Sequence, residues 1–381
     1  MILDEGSARA GSDRRDAALV MMDPDDSDED MYALEGMYMP NPGEFPPVKF
    51  PFDSTNTVRD VDARGFTLSL TSSSLLSQTT SELVGHKKRV HTLAWAPCGK
   101  KLATGGTEPV ARVWDIEQGA GKGASAELAG HTAQVEQLRF EPSNGQTLAT
   151  VSADKTAKVW DVRSGRCAAT VTTQGELMNV AWSPDGRFFA VGNRNDVISM
   201  VDTKTMTVVW EHKYKFEVNQ MMWNHSGNEF FMATGEGRLQ RLSFNATTAA
   251  LTPLESHFAH NGGCYCLDIS PNGDMFALGA ADAIVSLWET KSHVCYQTVV
   301  RLDCPIRTVS YSHDNKYIAA ASEDLFIDIA NAKTGKCMGQ IKTKEAINSI
   351  AFNPKELVLA YAGDTLVHLW SAFQGLNIDK K

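Results

Sequence analysis

The chain has 381 residues, 43% hydrophobic and 22% charged, which is ordinary globular composition. No apolar run approaches the ~18 residues that span a bilayer, and the first residues (MILDEGSARAGSDRRD) do not read as a secretory signal. The 7 cysteines, odd in number and irregularly spaced, therefore read as free thiols rather than a disulfide framework. The net charge of −10 is unevenly placed: residues 1–62 hold 15 acidic and 5 basic side chains, and the rest hold 31 of each sign. The folded part is thus neutral and lacks the broad positive field that phosphate binding needs.

Residues 1–62 are rich in Asp, Pro, Gly and Ser, with a dense acidic block at 23–30 (DPDDSDED). Such a segment buries too little apolar surface to offset its ordering entropy, so a disordered acidic tail is expected. Within it, 31–52 carries Tyr32, Leu34, Tyr38, Phe45, Phe50 and Phe52 among prolines, which suits either a docking peptide or a linker. Ser27, followed by three acids, is a candidate for an acid-directed kinase.

From residue 83 the chain repeats. Seven short apolar strands are expected at 90–95, 135–140, 177–182, 218–223, 264–269, 306–311 and 347–352, each followed by a turn rich in Pro, Asp, Asn or Gly. A second strand follows each, then a tight turn at Glu108, Asp154, Asn195, Glu236, Asp282, Asp324 or Asp364. Six residues later stands Trp114, Trp160, Trp288 or Trp370 in four repeats, and Val201, Leu242 or Ala330 in the others. The period of 40–46 residues and the Gly130-His131 … Trp160-Asp161 unit predict WD-repeat blades. The expected fold is therefore all-β: a seven-bladed propeller over 66–375, its last blade completed by a strand at 79–84 that removes an exposed sheet edge.

The repeat carries its own polar chemistry. In the second blade His131, Ser152, Asp154 and Trp160 are expected to form one hydrogen-bonded chain, favourable when every member is satisfied. His86 and Trp114 in the first blade, His260, Asp282 and Trp288 in the fifth, and Asp364 and Trp370 in the seventh hold equivalent places. The second blade, with the whole set, is expected to be the most regular. These histidines read as structural donors rather than as metal ligands or bases.

Nothing in the sequence calls for catalysis, a cofactor or a metal. Cys264-Tyr265-Cys266 has no second pair at zinc spacing and reads as packing, both thiols on one face of the strand. Residues 119–123 (GAGKG) lack the phosphate-loop spacing and read as a loop. Lys87-Lys88-Arg89, Lys213/Lys215 and Lys342/Lys344 are small basic clusters that read as solvated loops.

The divergent repeats carry a resemblance. The segments 154–162 (DKTAKVWDV), 181–202 (AWSPDGRFFAVGNRNDVISMVD), 216–219 (FEVN), 281–288 (ADAIVSLW), 301–314 (RLDCPIRTVSYSHD) and 321–330 (ASEDLFIDIA) resemble the third-subunit family of the THO complex. The last is the most specific, keeping Asp328 and Ala330 where most WD repeats have a β-branched residue and Trp. The resemblance spans about 85–371 and leaves out the tail. It implies a nuclear, non-enzymatic scaffold in a THO/TREX-type assembly that couples transcription to messenger RNA packaging and export. The implied partners are large helical THO subunits, with an RNA helicase and an export adaptor reached through the complex and RNA touched indirectly. Blades three, four and six, whose Trp positions are released, are the candidate contact regions. The alternative is a peptide-reading propeller, a chromatin reader or ubiquitin-ligase substrate receptor, that binds a short motif at the channel mouth.

Overall fold

The computed structural model describes residues 60–61, 67–68, 79–117 and 126–371. Seven four-stranded antiparallel sheets account for nearly all of them, and six are uninterrupted runs of sequence. Blade one comprises Val90–Trp95, Lys101–Gly106, Val110–Asp115 and Ala126–Ala129. Blades two to six begin with the inner strands Val135–Phe140, Leu177–Trp182, Val218–Trp223, Cys264–Ile269 and Thr308–Tyr311. Their outer strands are Arg166–Thr172, Thr207–Lys213, Ala250–Phe258, Cys295–Val299 and Cys337–Lys342. The turn from inner to second strand takes a left-handed residue in blades one to six, a glycine in the first five; blade six uses Asn315, φ 60°, whose short amide tolerates that region.

Blade seven is assembled from both ends of the propeller. Ser349–Phe352, Val358–Ala362 and Val367–Ser371 form three strands, and Thr79–Leu83 pairs antiparallel with the last, Leu83 opposite Val367 and Thr79 opposite Ser371. Leu83 is buried by this pairing. The strand thus closes the ring and covers the one blade edge that sequence order would leave bare.

The apolar core lies between blades rather than within them. Seven clusters of buried residues exist, and each draws on two neighbouring blades. Second and third strands are consequently buried on both faces, as in Phe188–Asn193 and Met275–Ala280, so their apolar patterning runs continuously. Trp114, Trp160, Trp288 and Trp370 each pack towards the preceding blade. Val201, Leu242 and Ala330 occupy the same place in their interfaces and are equally buried. The released Trp positions therefore open no surface; neighbouring aromatics fill the space, as where Trp223 meets Phe230 and Phe244 edge-on at 4.6 and 5.5 Å.

Three details differ from the sequence-based expectation. The inner strands of blades six and seven begin two residues late, because the N–H groups of Ile306 and Ile347 donate to Ala280 and Ser322 of the preceding blades. Cys264 and Cys266 do not share a face. The register slips between them, sending Cys264 into the blade four–five core and Cys266 into the blade five–six core. Asp60–Val61, within the segment read as tail, pairs with Thr67–Leu68 in a two-residue ribbon. The rest of the tail, including Ser27 and 31–52, and the 119–123 loop lie outside the described residues.

Candidate functional site

The polar chain of blade two is complete and directional. Trp160 Nε1–H donates to Thr150 Oγ1 at 2.8 Å; Thr150 Oγ1 lies 2.8 Å from His131 Nε2, and His131 Nδ1 lies 2.8 Å from Asp154 Oδ2. The hydroxyl has one proton to give, so the consistent assignment runs Trp160 to Thr150 to His131 to Asp154. Burial lowers the His131 pKa and keeps the ring neutral, outweighing the pull of Asp154. Burial pushes Asp154 up, but hydrogen bonds from Thr156, the Thr132 N–H and His131 outweigh it and hold the carboxyl at about 2. Contrary to the expectation from sequence, Ser152 is not a link between His131 and Trp160; Thr150 takes that place. Ser152 ties the turn instead, donating to Ala133 O at 3.2 Å and accepting from Asp154 N at 3.1 Å.

Other blades reach the same end with different residues. In blade one Thr104 stands between Trp114 (2.8 Å) and His86 (2.7 Å), and Glu108 replaces the aspartate. Burial raises Glu108, yet the Lys87 N–H and His86 more than compensate and its pKa falls; burial lowers His86. Blade one is thus as complete as blade two, contrary to expectation. In blade five Leu278 takes the threonine place, and Ser286 on the adjacent strand bonds both His260 and Trp288 at 2.7 Å. Asp282 bonds His260 at 3.1 Å. In blade seven Asp364 acts through its backbone, accepting from Val90 N at 2.8 Å across the closure, and Trp370 is buried.

Blade six abandons the pair. Leu302 and Ala330 replace His and Trp, and Asp328, 1% exposed, is bridged bidentately by Arg301 at 2.9 and 2.6 Å. Arg301 also donates to Gly335 O at 2.8 Å. The fork-on-carboxylate geometry satisfies the buried charge. Asp324 keeps its turn role, accepting from Asp303 N and Cys304 N.

The inner strands line the central channel with one unpaired backbone edge each, and side chains of neighbouring blades cap those edges. Gln137 accepts from Val180 N at 2.7 Å and donates to Gln220 at 3.0 Å, bridging blades two and four in front of blade three. Asp268 accepts from Tyr311 N at 2.7 Å, Ser310 from Phe352 N at 3.0 Å, and Thr308 from Ile350 N at 3.3 Å. Trp95 and Trp182 reach Ala351 O and Arg139 O in the preceding blades, each at 3.0 Å. A cavity of about 280 Å³ remains in the channel, lined by His91, Glu136, Arg139, Tyr265, Asp268 and Arg307 among others. Burial pushes the Asp268 carboxyl up to about 6 against the pull of the Tyr311 N–H and Arg139. Cys264 is pushed up to about 12 by burial and Cys266 is raised further, so neither is a ready nucleophile.

The exposed apolar side chains are unevenly placed. Nine of the ten large ones among the described residues belong to blades three to six, Tyr265 in the channel and the others on outer strands, turns and connecting loops, the most exposed being Val300, Phe258, Leu325 and Val294. Arg238 lies over the Phe258 ring and Arg307 over the Tyr265 ring, each at 5.8 Å. The side chains at the Trp positions of blades three, four and six, Val201, Leu242 and Ala330, are buried and offer no contact surface. All three basic clusters, Lys87-Lys88-Arg89, Lys213/Lys215 and Lys342/Lys344, are exposed, and Arg89 Nε donates to Gly363 O at 3.1 Å.

Comparison with known proteins follows the same residues. The family model described as the THOC3 beta-propeller domain matches residues 86–362. The protein called THO complex subunit 3 in Arabidopsis thaliana is 44% identical over 284 residues, covering 74% of this chain and 89% of its own length. The WD repeat-containing protein AAC3 of Dictyostelium discoideum is 30% identical over 304 residues, covering 74% of this chain and 63% of its own length. A serine-threonine kinase receptor-associated protein of the same organism is 26% identical over 206 residues, 54% of this chain and 68% of its own. With its seven interlocked blades and these matches over most of its length, the chain belongs to the THO complex subunit 3 family.

Proposed function

We propose that this chain is a non-enzymatic scaffold of a nuclear THO/TREX-type complex that couples transcription to messenger RNA packaging and export. Its partners are the large helical THO subunits, and an RNA helicase and an export adaptor join through the complex. The observation that supports this best is the apolar arc on blades three to six of an otherwise neutral disc. Exposed apolar side chains concentrated on four consecutive blades favour protein partners, and charge balance between residues 63 and 381 gives no broad attraction for RNA phosphates. The disc is internally keyed by its inter-blade caps, so it acts by holding partners in fixed relation.

Affinity purification of the tagged chain from nuclear extract, with and without RNase, tests the reading. Recovery of helical THO subunits and a helicase that survives RNase is expected. Phe258→Ser, Val300→Ser and Leu325→Ser together are expected to reduce that recovery at least tenfold, about 1.4 kcal/mol of lost association. Recovery of a cullin adaptor or a histone-modifying complex instead would favour the peptide-reader alternative and sink the scaffold assignment.

A further inference from the structure

We propose that Glu255, His257 and His293 form a site for a borderline divalent cation, Zn²⁺ foremost, that fastens the outer strand of blade four to blade five. Glu255 and His257 stand two apart on the strand Ala250–Phe258, Glu255 at the point where the pairing with the third strand slips, and Glu255 Oε2 and His257 Nε2 come together. His293 sits in the turn between the third and outer strands of blade five, with φ of 55° and its N–H bonded to Glu289 O. One ligand atom from each of the three lies within 4.8 Å of the other two. The two imidazoles are nearly parallel, 16° between planes and 5.5 Å between centroids. A tetrahedral zinc centre brings its ligands to about 3.3 Å of one another, so closure asks for a shift of ~1 Å, within reach of a surface turn.

A second observation points to a ligand independently. Nε2 of His257 and Nε2 of His293 are both sealed from solvent and have no hydrogen-bond partner. Glu255 Oε2 comes within 3.3 Å of His257 Nε2 without hydrogen-bond geometry. Two buried, unpaired nitrogens side by side carry a desolvation cost that neither relieves for the other. One cation between them would satisfy both lone pairs.

The local charge suits a cation. Arg241, at the slip in register between Gln240 and Leu242, is held by Glu229 and Glu255, each at 2.9 Å. Two carboxylates against one guanidinium leave one net negative charge. The donor set is two imidazole nitrogens and one carboxylate oxygen, with the fourth position open to water on the exposed Glu255 side. That donor set fits Zn²⁺ rather than Ca²⁺ or Mg²⁺, which prefer all-oxygen shells.

The test uses the full chain with its exposed thiols, Cys98, Cys167, Cys295 and Cys337, alkylated beforehand. Titration with Co²⁺ is expected to give the visible absorption of a tetrahedral centre without sulfur charge transfer, saturating at one equivalent and displaced by Zn²⁺. His257→Gln and His293→Gln are each expected to weaken Zn²⁺ binding by about tenfold or more, and Glu255→Gln by a smaller factor. Saturating Zn²⁺ is expected to raise the melting temperature by about 3 °C in the parent chain and not in the double histidine variant. His293→Gln, in a surface turn, keeps the test open if the double variant does not fold. Absence of saturable binding, or binding that both histidine variants retain, overturns the proposal.

Discussion

Thr150 is the residue on which blade two turns, since one hydroxyl serves both Trp160 and His131. Thr150→Val leaves two buried polar groups without partners and is expected to cost about 2–4 kcal/mol in urea unfolding. Ser152→Ala, which loses only turn bonds, is expected to cost about 1 kcal/mol. The sequence drew attention to Ser152 because it lies nearer Asp154. Strand alternation places residues 150 and 152 on the same side, and only their depth in the sheet decides which meets the indole. Titration at this scale has two signs. Burial lowers His86 and His131, so their contribution is full above about pH 6.5 and is lost as pH falls through their folded values. Asp268 runs the other way: at about 6 in the fold against 3.8 when free, it favours the folded state as pH falls between those values. Asp268→Asn is therefore expected to be more stable than the parent at pH 8, on the order of 1 kcal/mol after discounting for its partial solvent access, with the advantage gone by pH 4. Denaturant melts at the two pH values check both the size and the sign.

At the scale of the blade, the same enclosure is built from three chemistries. Threonine on the second strand serves blades one and two, serine on the third serves blade five, and an ion pair serves blade six. The strands, turns and Trp positions were legible because period and turn residues are local signals. The substitutions were not, because Ser286 replaces a threonine on a different strand and Arg301 meets Asp328 across 27 residues. The sequence resemblance had singled out Asp328 without giving a reason; the buried bridge gives one. Arg301→Met alone leaves that carboxylate buried and unpaired and is expected to cost about 3–5 kcal/mol. Arg301→Met with Asp328→Leu is expected to recover most of the loss, as a double-mutant cycle by thermal unfolding would report. The Glu255, His257 and His293 cluster escaped the sequence for the same reason: a Glu-x-His pair and a single His 36 residues later have no zinc-type spacing until a turn brings them together.

For the whole molecule the decisive contact is the one between its ends. A chain lacking residues 1–78 keeps the closing strand, and one lacking residues 1–84 does not. The second is expected to melt about 10 °C below the first, with a less cooperative transition, because the loss exposes a sheet edge and the buried side of Leu83. That closure was readable as an unpaired strand before the first Gly-His. What covers the rim was not, since exposure depends on how the blades lean together. The closure also sets an order in time. Leu83 waits for Val367, about 285 residues further along, to be made. At 5–20 residues per second that is a delay of about 15–60 s during synthesis. Until then the first segment of the propeller to leave the ribosome has no partner, and the ring cannot be locked. A protein built this way can offer its finished rim to other subunits only after its seventh blade has been made, so its assembly with them is expected to follow that step rather than accompany the making of the earlier blades.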